Sequence, residues 1–162
     1  MMASKVVTPK ASASIPQVLR VLLLYIEPLF TVGGILLLML KPEAYTKDTT
    51  RSSMTNIDPK SIFVYTQLAG GWAHIAFSEA VILRLVDDVK VWKLICIGVL
   101  LSDALYCHSM AQAVGGWASW IEIGEWSPQE WVATAMTWPF VLTRLAIVSG
   151  LAVKRDEGLK RA

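Results

Sequence analysis

Apolar residues gather into four long runs separated by polar links, and each run is near the roughly 20 residues that a helix needs to cross a bilayer. The runs cover about 18–40, 61–86, 91–114 and 128–153. Their edges carry helix signals. Pro16 precedes the first run and Lys41-Pro42 closes it. Asp58-Pro59 reads as an N-cap followed by proline at the first helical position, and Gly115-Gly116 stops the third run. Ser127-Pro128-Gln129-Glu130 is a capping box in which the serine and the glutamate each satisfy a free backbone N–H. The pattern predicts an all-α integral membrane four-helix bundle of antiparallel, up-down topology, a single domain over 1–162. A polar N-tail, 1–14, and a basic C-tail, 154–162, flank it.

The links add to this picture. Asp87-Asp88-Val89-Lys90 is tight, so the second and third helices are antiparallel neighbours. Residues 41–60 form a longer polar loop. The 115–127 link carries Trp117, Trp120 and Trp126, with Trp131 just beyond. Tryptophan prefers the membrane–water interface, so this link is expected on the surface as an aromatic belt, with a lid over a cavity mouth as the second reading. Lys5, Lys10, Arg20, Lys90, Lys93, Lys154, Arg155, Lys160 and Arg161 fall on one side. Lys41, Lys47, Arg51 and Lys60 fall on the other. The imbalance places both termini in the cytoplasm.

Composition agrees with a membrane chain: 54% of residues are hydrophobic and the mean hydropathy is +0.50, high for a soluble domain of this size. A formal charge of +2 without a basic, aromatic-studded stripe argues against nucleic acid. Cys96 and Cys107 lie on one predicted helix, too far apart for a disulfide, and read as packing residues.

The chemistry rests on ionisable residues inside the runs, where they are costly and usually face a bundle interior or a wet cavity. Glu27, His74, Asp103 and Arg144 fall near the middle of successive runs, and Arg84 lies nearer a helix end. By helical rise, Glu79 lies about 7 Å from His74 and His108 about 7 Å from Asp103. Each of these pairs is five residues apart, about 140° around a helix, so neither is a metal-ligand pair and no metal site is predicted. No Ser/His/Asp triad and no phosphate loop can be drawn. One Arg144 does not neutralise three acids, so inward-facing Glu27, Glu79 and Asp103 imply either a protonated carboxyl or a ligand. Pro28 and Pro139 sit inside runs and free the carbonyls of Leu24 and Ala135, which then need partners or a cavity.

These residues resemble the four-span EXPERA group, which includes the sigma-2 receptor and the sterol isomerase called emopamil-binding protein. Tyr25-Ile26-Glu27-Pro28 is similar to the acid in that group's first helix, and Phe77-Ser78-Glu79-Ala80-Val81-Ile82-Leu83 to the aromatic and acid of its second. Leu105-Tyr106-Cys107-His108-Ser109-Met110 is similar to the Tyr-x-x-His stretch of its third, with one residue fewer between Tyr and His. The chain looks closer still to a fungal four-span family of unassigned function, some members of which lie near secondary-metabolite genes. The sterol isomerase has His and Glu four apart on its second helix, whereas His74 and Glu79 are five apart.

The resemblance implies a cofactor-independent isomerase or cyclase for a sterol- or terpenoid-like lipid, in the endoplasmic reticulum membrane. Glu27, His74, Glu79, Asp103 and His108 are its candidate acids and bases. Trp72, Tyr106, Trp138 and Arg144 are its candidate substrate contacts. The expected partners are a lipid-like small molecule and the membrane, with a homodimer left open. The competing reading is a non-catalytic scaffold or binder of lipid or amine ligands.

Overall fold

The computed structural model describes residues 9–154. The predicted tails beyond them, with Lys5, Arg155, Lys160 and Arg161, lie outside the described residues. Helices in chain order are α1 (Ala11–Ser14), α2 (Gln17–Leu40), α3 (Pro42–Thr49), α4 (62–85), α5 (Val89–Ala113), α6 (Trp117–Trp120) and α7 (Pro128–Ser149). Among the described residues there is no strand.

Three of these helices, α2, α5 and α7, are long and apolar enough to cross a membrane. Helix α4 is not among them, because Gln67, His74, Glu79 and Arg84 dilute its apolar run. The predicted cap at Asp58 is present, accepting from Lys60 N at 2.9 Å. Helix α5 starts at Val89, ahead of its predicted run, with Asp88 accepting from Lys90 N at 2.7 Å and Val91 N at 3.3 Å. The capping box of α7 closes through Ser127 N to Glu130 Oε2 at 2.8 Å and Glu130 N to Ser127 Oγ at 3.2 Å. Helix α7 stops earlier than its apolar run. Gly150 takes φ +85°, a left-handed C-cap that favours glycine, and the chain leaves the helix there. The 41–60 loop holds α3, because Lys41 (φ −143°, ψ 57°) breaks α2 and Pro42 starts a new helix.

Helix α2 packs antiparallel along α4, and α5 packs along α7, leaving a cavity between the two pairs. One end of the bundle is laced shut. Ser12 N and Oγ donate to Asp87 at 2.7 and 2.6 Å, Val89 N to Pro9 O at 3.1 Å, and Lys154 N to Ser14 O at 2.9 Å. The N-terminal segment is therefore no free polar tail: Ala11 and Ile15 are buried with Leu23, Leu83, Trp92, Cys96 and Ile147. Apolar burial outweighs the cost of ordering these few residues once Ser12 has a partner. At the opposite end, Arg51 Nε donates to both Glu130 oxygens at 3.0 Å and Nη2 to Ser119 O at 3.3 Å. That bidentate pair ties the 41–60 segment to α6 and α7.

Candidate functional site

Glu27 and Glu79 owe their positions to two π turns. Residues Leu22–Ile26 of α2 and Ser78–Ile82 of α4 are each wound one residue wider than an α-helix, and the two turns pack against each other. A π turn inserts an extra residue and rotates the helix downstream of it, a device frequent at functional sites. Glu27 follows the first turn directly and Glu79 lies within the second, so both acids project between the helices. Pro28 lacks the N–H that would hold Leu24 O. That carbonyl accepts instead from Arg84 Nη2 at 3.0 Å.

Arg144 meets the acids from α7. Its Nη1 donates to Asp103 Oδ2 at 2.7 Å, and its Nη2 donates to Glu79 Oε1 at 2.8 Å and also to Glu27 Oε1. The guanidinium is 1% exposed and committed to all three carboxyls. Four helices thus send one side chain each to one point. Among the described residues, Glu27 Oε2, Glu79 Oε2 and Arg144 Nε are buried without a hydrogen-bond partner. Among the described residues no trio of His, Cys, Asp or Glu is arranged to hold a metal ion.

The acids differ in access. Glu79 is sealed, its side chain 1% exposed, whereas Asp103 is 16% exposed and Glu27 12%. Only the latter two border the cavity, which has a volume of about 740 Å³. Its walls are apolar and aromatic. Trp72 lies edge-on to Tyr45 at 6.0 Å and to Tyr106 at 6.4 Å between ring centroids. Gly34 lets this happen, since a Cβ there would lie 2.5 Å from the Trp72 ring. The far end is polar, with Asp48, Thr49, Gln129 and Glu130. Burial pushes the Tyr45 phenol above its ordinary value, so it enters the wall as a neutral group. Leu29 and Phe30 on α2, and Val132 and Met136 on α7, both line the cavity and are exposed. The cavity therefore opens sideways between these two helices.

Of the sequence candidates, Glu27, Glu79, Asp103 and Arg144 converge, and Trp72 and Tyr106 form the wall. It is Glu79, not His74, that α4 sends to the cluster. The two are about 140° apart on the helix, so with Glu79 inward His74 is on the exposed face. His108 is also exposed, stacked on Trp117 at 5.9 Å. Trp138 is 38% exposed and lies outside the cavity lining, beside a void of about 20 Å³. Arg144 stands behind the floor of the cavity rather than in its lining, so its contacts are the acids. Sequence reasoning missed Phe30, Tyr45 and Asp48 in the lining. It missed Arg84 as the Leu24 partner too, although the carbonyl freed by Pro28 was the signal that could have found it.

The family described as "Domain of unknown function (DUF7704)" matches residues 12–154, which include every helix that builds this site except the first residue of α1. No curated protein and no solved structure matches the chain.

Proposed function

The chain belongs to the DUF7704 family, and we propose that it is a membrane-embedded acid/base isomerase or cyclase acting on an alkene-bearing, sterol- or terpenoid-like lipid. The observation that carries this reading is the cavity floor. Glu27 and Asp103 border a cavity of about 740 Å³ whose walls beside them are mainly apolar and aromatic and whose far end is polar, within the roughly 300–1,000 Å³ usual for small-molecule sites. Carboxyls facing hydrocarbon walls suit proton transfer to and from carbon rather than hydrolysis.

Asp103 is the acid of choice, because its side chain, 16% exposed, has the most access to the cavity of the three, and the oxygen not held by Arg144 can carry the proton. Its O–H bond breaks as a C–H bond forms on the alkene, leaving a cation on the neighbouring carbon. The faces of Trp72 and Tyr106 and the remaining carboxylates stabilise that cation. Glu27 removes a proton from an adjacent carbon, and those C–H electrons become the new double bond. In a cyclisation, a second alkene attacks the cation before this deprotonation. Each turnover leaves Asp103 ionised and the proton on Glu27; both acids border the cavity, which opens sideways, and they recover their starting states by proton exchange with water there, while Arg144 stays protonated throughout. One guanidinium does not neutralise three carboxyls, so a proton or a cation belongs to the cluster.

That same charge excess favours a second reading, a binder of cationic amphiphiles that anchors an amine at Asp103 without turnover. In either case we place α4 in the membrane beside α2, as the fourth span. Both termini are then cytoplasmic, and the endoplasmic reticulum is the proposed membrane.

Heavy water separates the two. Purified protein is incubated in D2O with the sterol and terpenoid fraction of a membrane extract, and products are read by mass spectrometry. Deuterium gained by one alkene lipid, and lost with Asp103→Asn, is the result expected of the enzyme. No exchange, with saturable binding of an amphiphilic amine, sinks the catalytic reading and leaves the binder.

A further inference from the structure

We infer that Arg84 is a positioning residue for Glu27, standing in for the backbone N–H that Pro28 lacks. In a regular helix, Leu24 O would accept from the N–H of residue 28, and proline has none. An unpaired carbonyl in an apolar span costs several kcal/mol by order of magnitude. Arg84, from α4, donates Nη2 to that oxygen at 3.0 Å, and its guanidinium sits 4.5 Å over the Tyr25 ring. The bond therefore crosses from α4 to α2 within the π turn Leu22–Ile26, at Leu24, three residues before Glu27. Arg84 itself closely follows the π turn that holds Glu79. One side chain thus locks together the two irregular turns that aim both acids at Arg144. Arg84 is not part of the cavity lining, and its contacts are the Leu24 carbonyl and the Tyr25 ring, so it acts on Glu27 through helix α2. The role of Glu27 rests on the proposed function; the clamp itself does not.

The test is a double-mutant cycle between Arg84→Ala and Pro28→Ala. Alanine at 28 supplies an N–H to Leu24 O and takes over that bond, leaving Arg84 only its contact with the Tyr25 ring. Two readouts are taken on the full chain in detergent. One is the melting temperature. The other is the infrared band of the Glu27 carboxyl group, identified as the band that Glu27→Gln removes. Arg84→Ala alone is expected to lower the melting temperature by about 5 °C and shift that band. In the Pro28→Ala background the same change leaves the band nearly unmoved and lowers the melting temperature by clearly less, the remainder being the lost Tyr25 contact. Recovery of folded protein only in the double variant counts for the inference in the same way. Equal effects of Arg84→Ala in both backgrounds overturn it, as does a double variant that fails to fold while Pro28→Ala folds. Neither readout uses turnover, so a failed isomerase assay leaves this result standing.

Discussion

Arg144 and Asp103, 41 residues apart in sequence, are joined by a 2.7 Å bond from Nη1 to Oδ2, and this bond fixes the floor of the cavity. The other arm of the guanidinium holds Glu27 and Glu79. Replacing Arg144 with methionine leaves three carboxyls, two of them buried, without their counter-ion. Breaking a buried pair from one side typically costs about 3–5 kcal/mol. Arg144→Met is therefore expected to give little folded protein. Arg144→Lys keeps the charge but not the two-armed geometry, and should fold with a lowered melting temperature. Equal melting of the methionine variant and wild type would show that the cluster contributes nothing to folding.

Asp103 and Glu79 are both bonded to Arg144, yet only Asp103 has access to the cavity. Asp103→Asn should abolish deuterium exchange into lipid, by at least about 100-fold if this carboxyl is the general acid. Glu79→Gln keeps the shape of the sealed side chain and should leave ligand affinity within a few-fold of wild type. A reversed order of effects, measured in one assay, would mean that the chemistry lies on the α2–α4 side.

Gly34 and Gly71 make a matched pair on the packed helices α2 and α4. A Cβ on Gly34 meets the Trp72 ring at 2.5 Å, while one on Gly71 meets nothing within 4 Å. Gly34→Ala should displace Trp72 and weaken ligand binding, with Trp72 also losing its edge contacts to Tyr45 and Tyr106. Gly71→Ala should be neutral, or stabilising by up to about 1 kcal/mol through helix propensity. Ligand titration and thermal melting of the two variants check both statements.

At the laced end, Ser12 holds the Asp87 carboxyl below the usual carboxylate range, by its hydroxyl first and its backbone N–H second. A lowered folded value means that this contact is complete above the ordinary aspartate value of 3.8 and is lost as pH falls below it through the lowered value. The Ser12 amide resonance should titrate with a midpoint under 3.8 in wild type and not at all in Asp87→Asn. A midpoint at or above 3.8 contradicts the assignment.

Much of the site was legible because a charge in an apolar run is conspicuous. Glu27, Glu79, Asp103 and Arg144 stand out for that reason, and they do converge. Depth along a regular helix was a poorer guide. It paired His74 with the other midpoints, but the π turns at Leu22–Ile26 and Ser78–Ile82 break the register on which such depths rest. No residue type marks a π turn. The angle between His74 and Glu79 was available from spacing alone, and it requires one of them to point away. Tyr45 and Asp48 lie in a stretch read as loop, because its polar composition hides the helix that Pro42 starts. The same blindness let the apolar run continue past Gly150, where a left-handed cap ends α7.

A lipid-sized ligand held over an acidic floor is tested most directly by the identity of the molecules that travel with the protein. Wild type and Gly34→Leu are extracted in mild detergent and their bound small molecules identified by mass spectrometry. One defined apolar molecule, near one per chain in wild type and absent from Gly34→Leu, is the predicted result. Bulk phospholipid in the proportions of the surrounding membrane, unchanged by the substitution, would leave the cavity without a specific occupant and overturn the proposal.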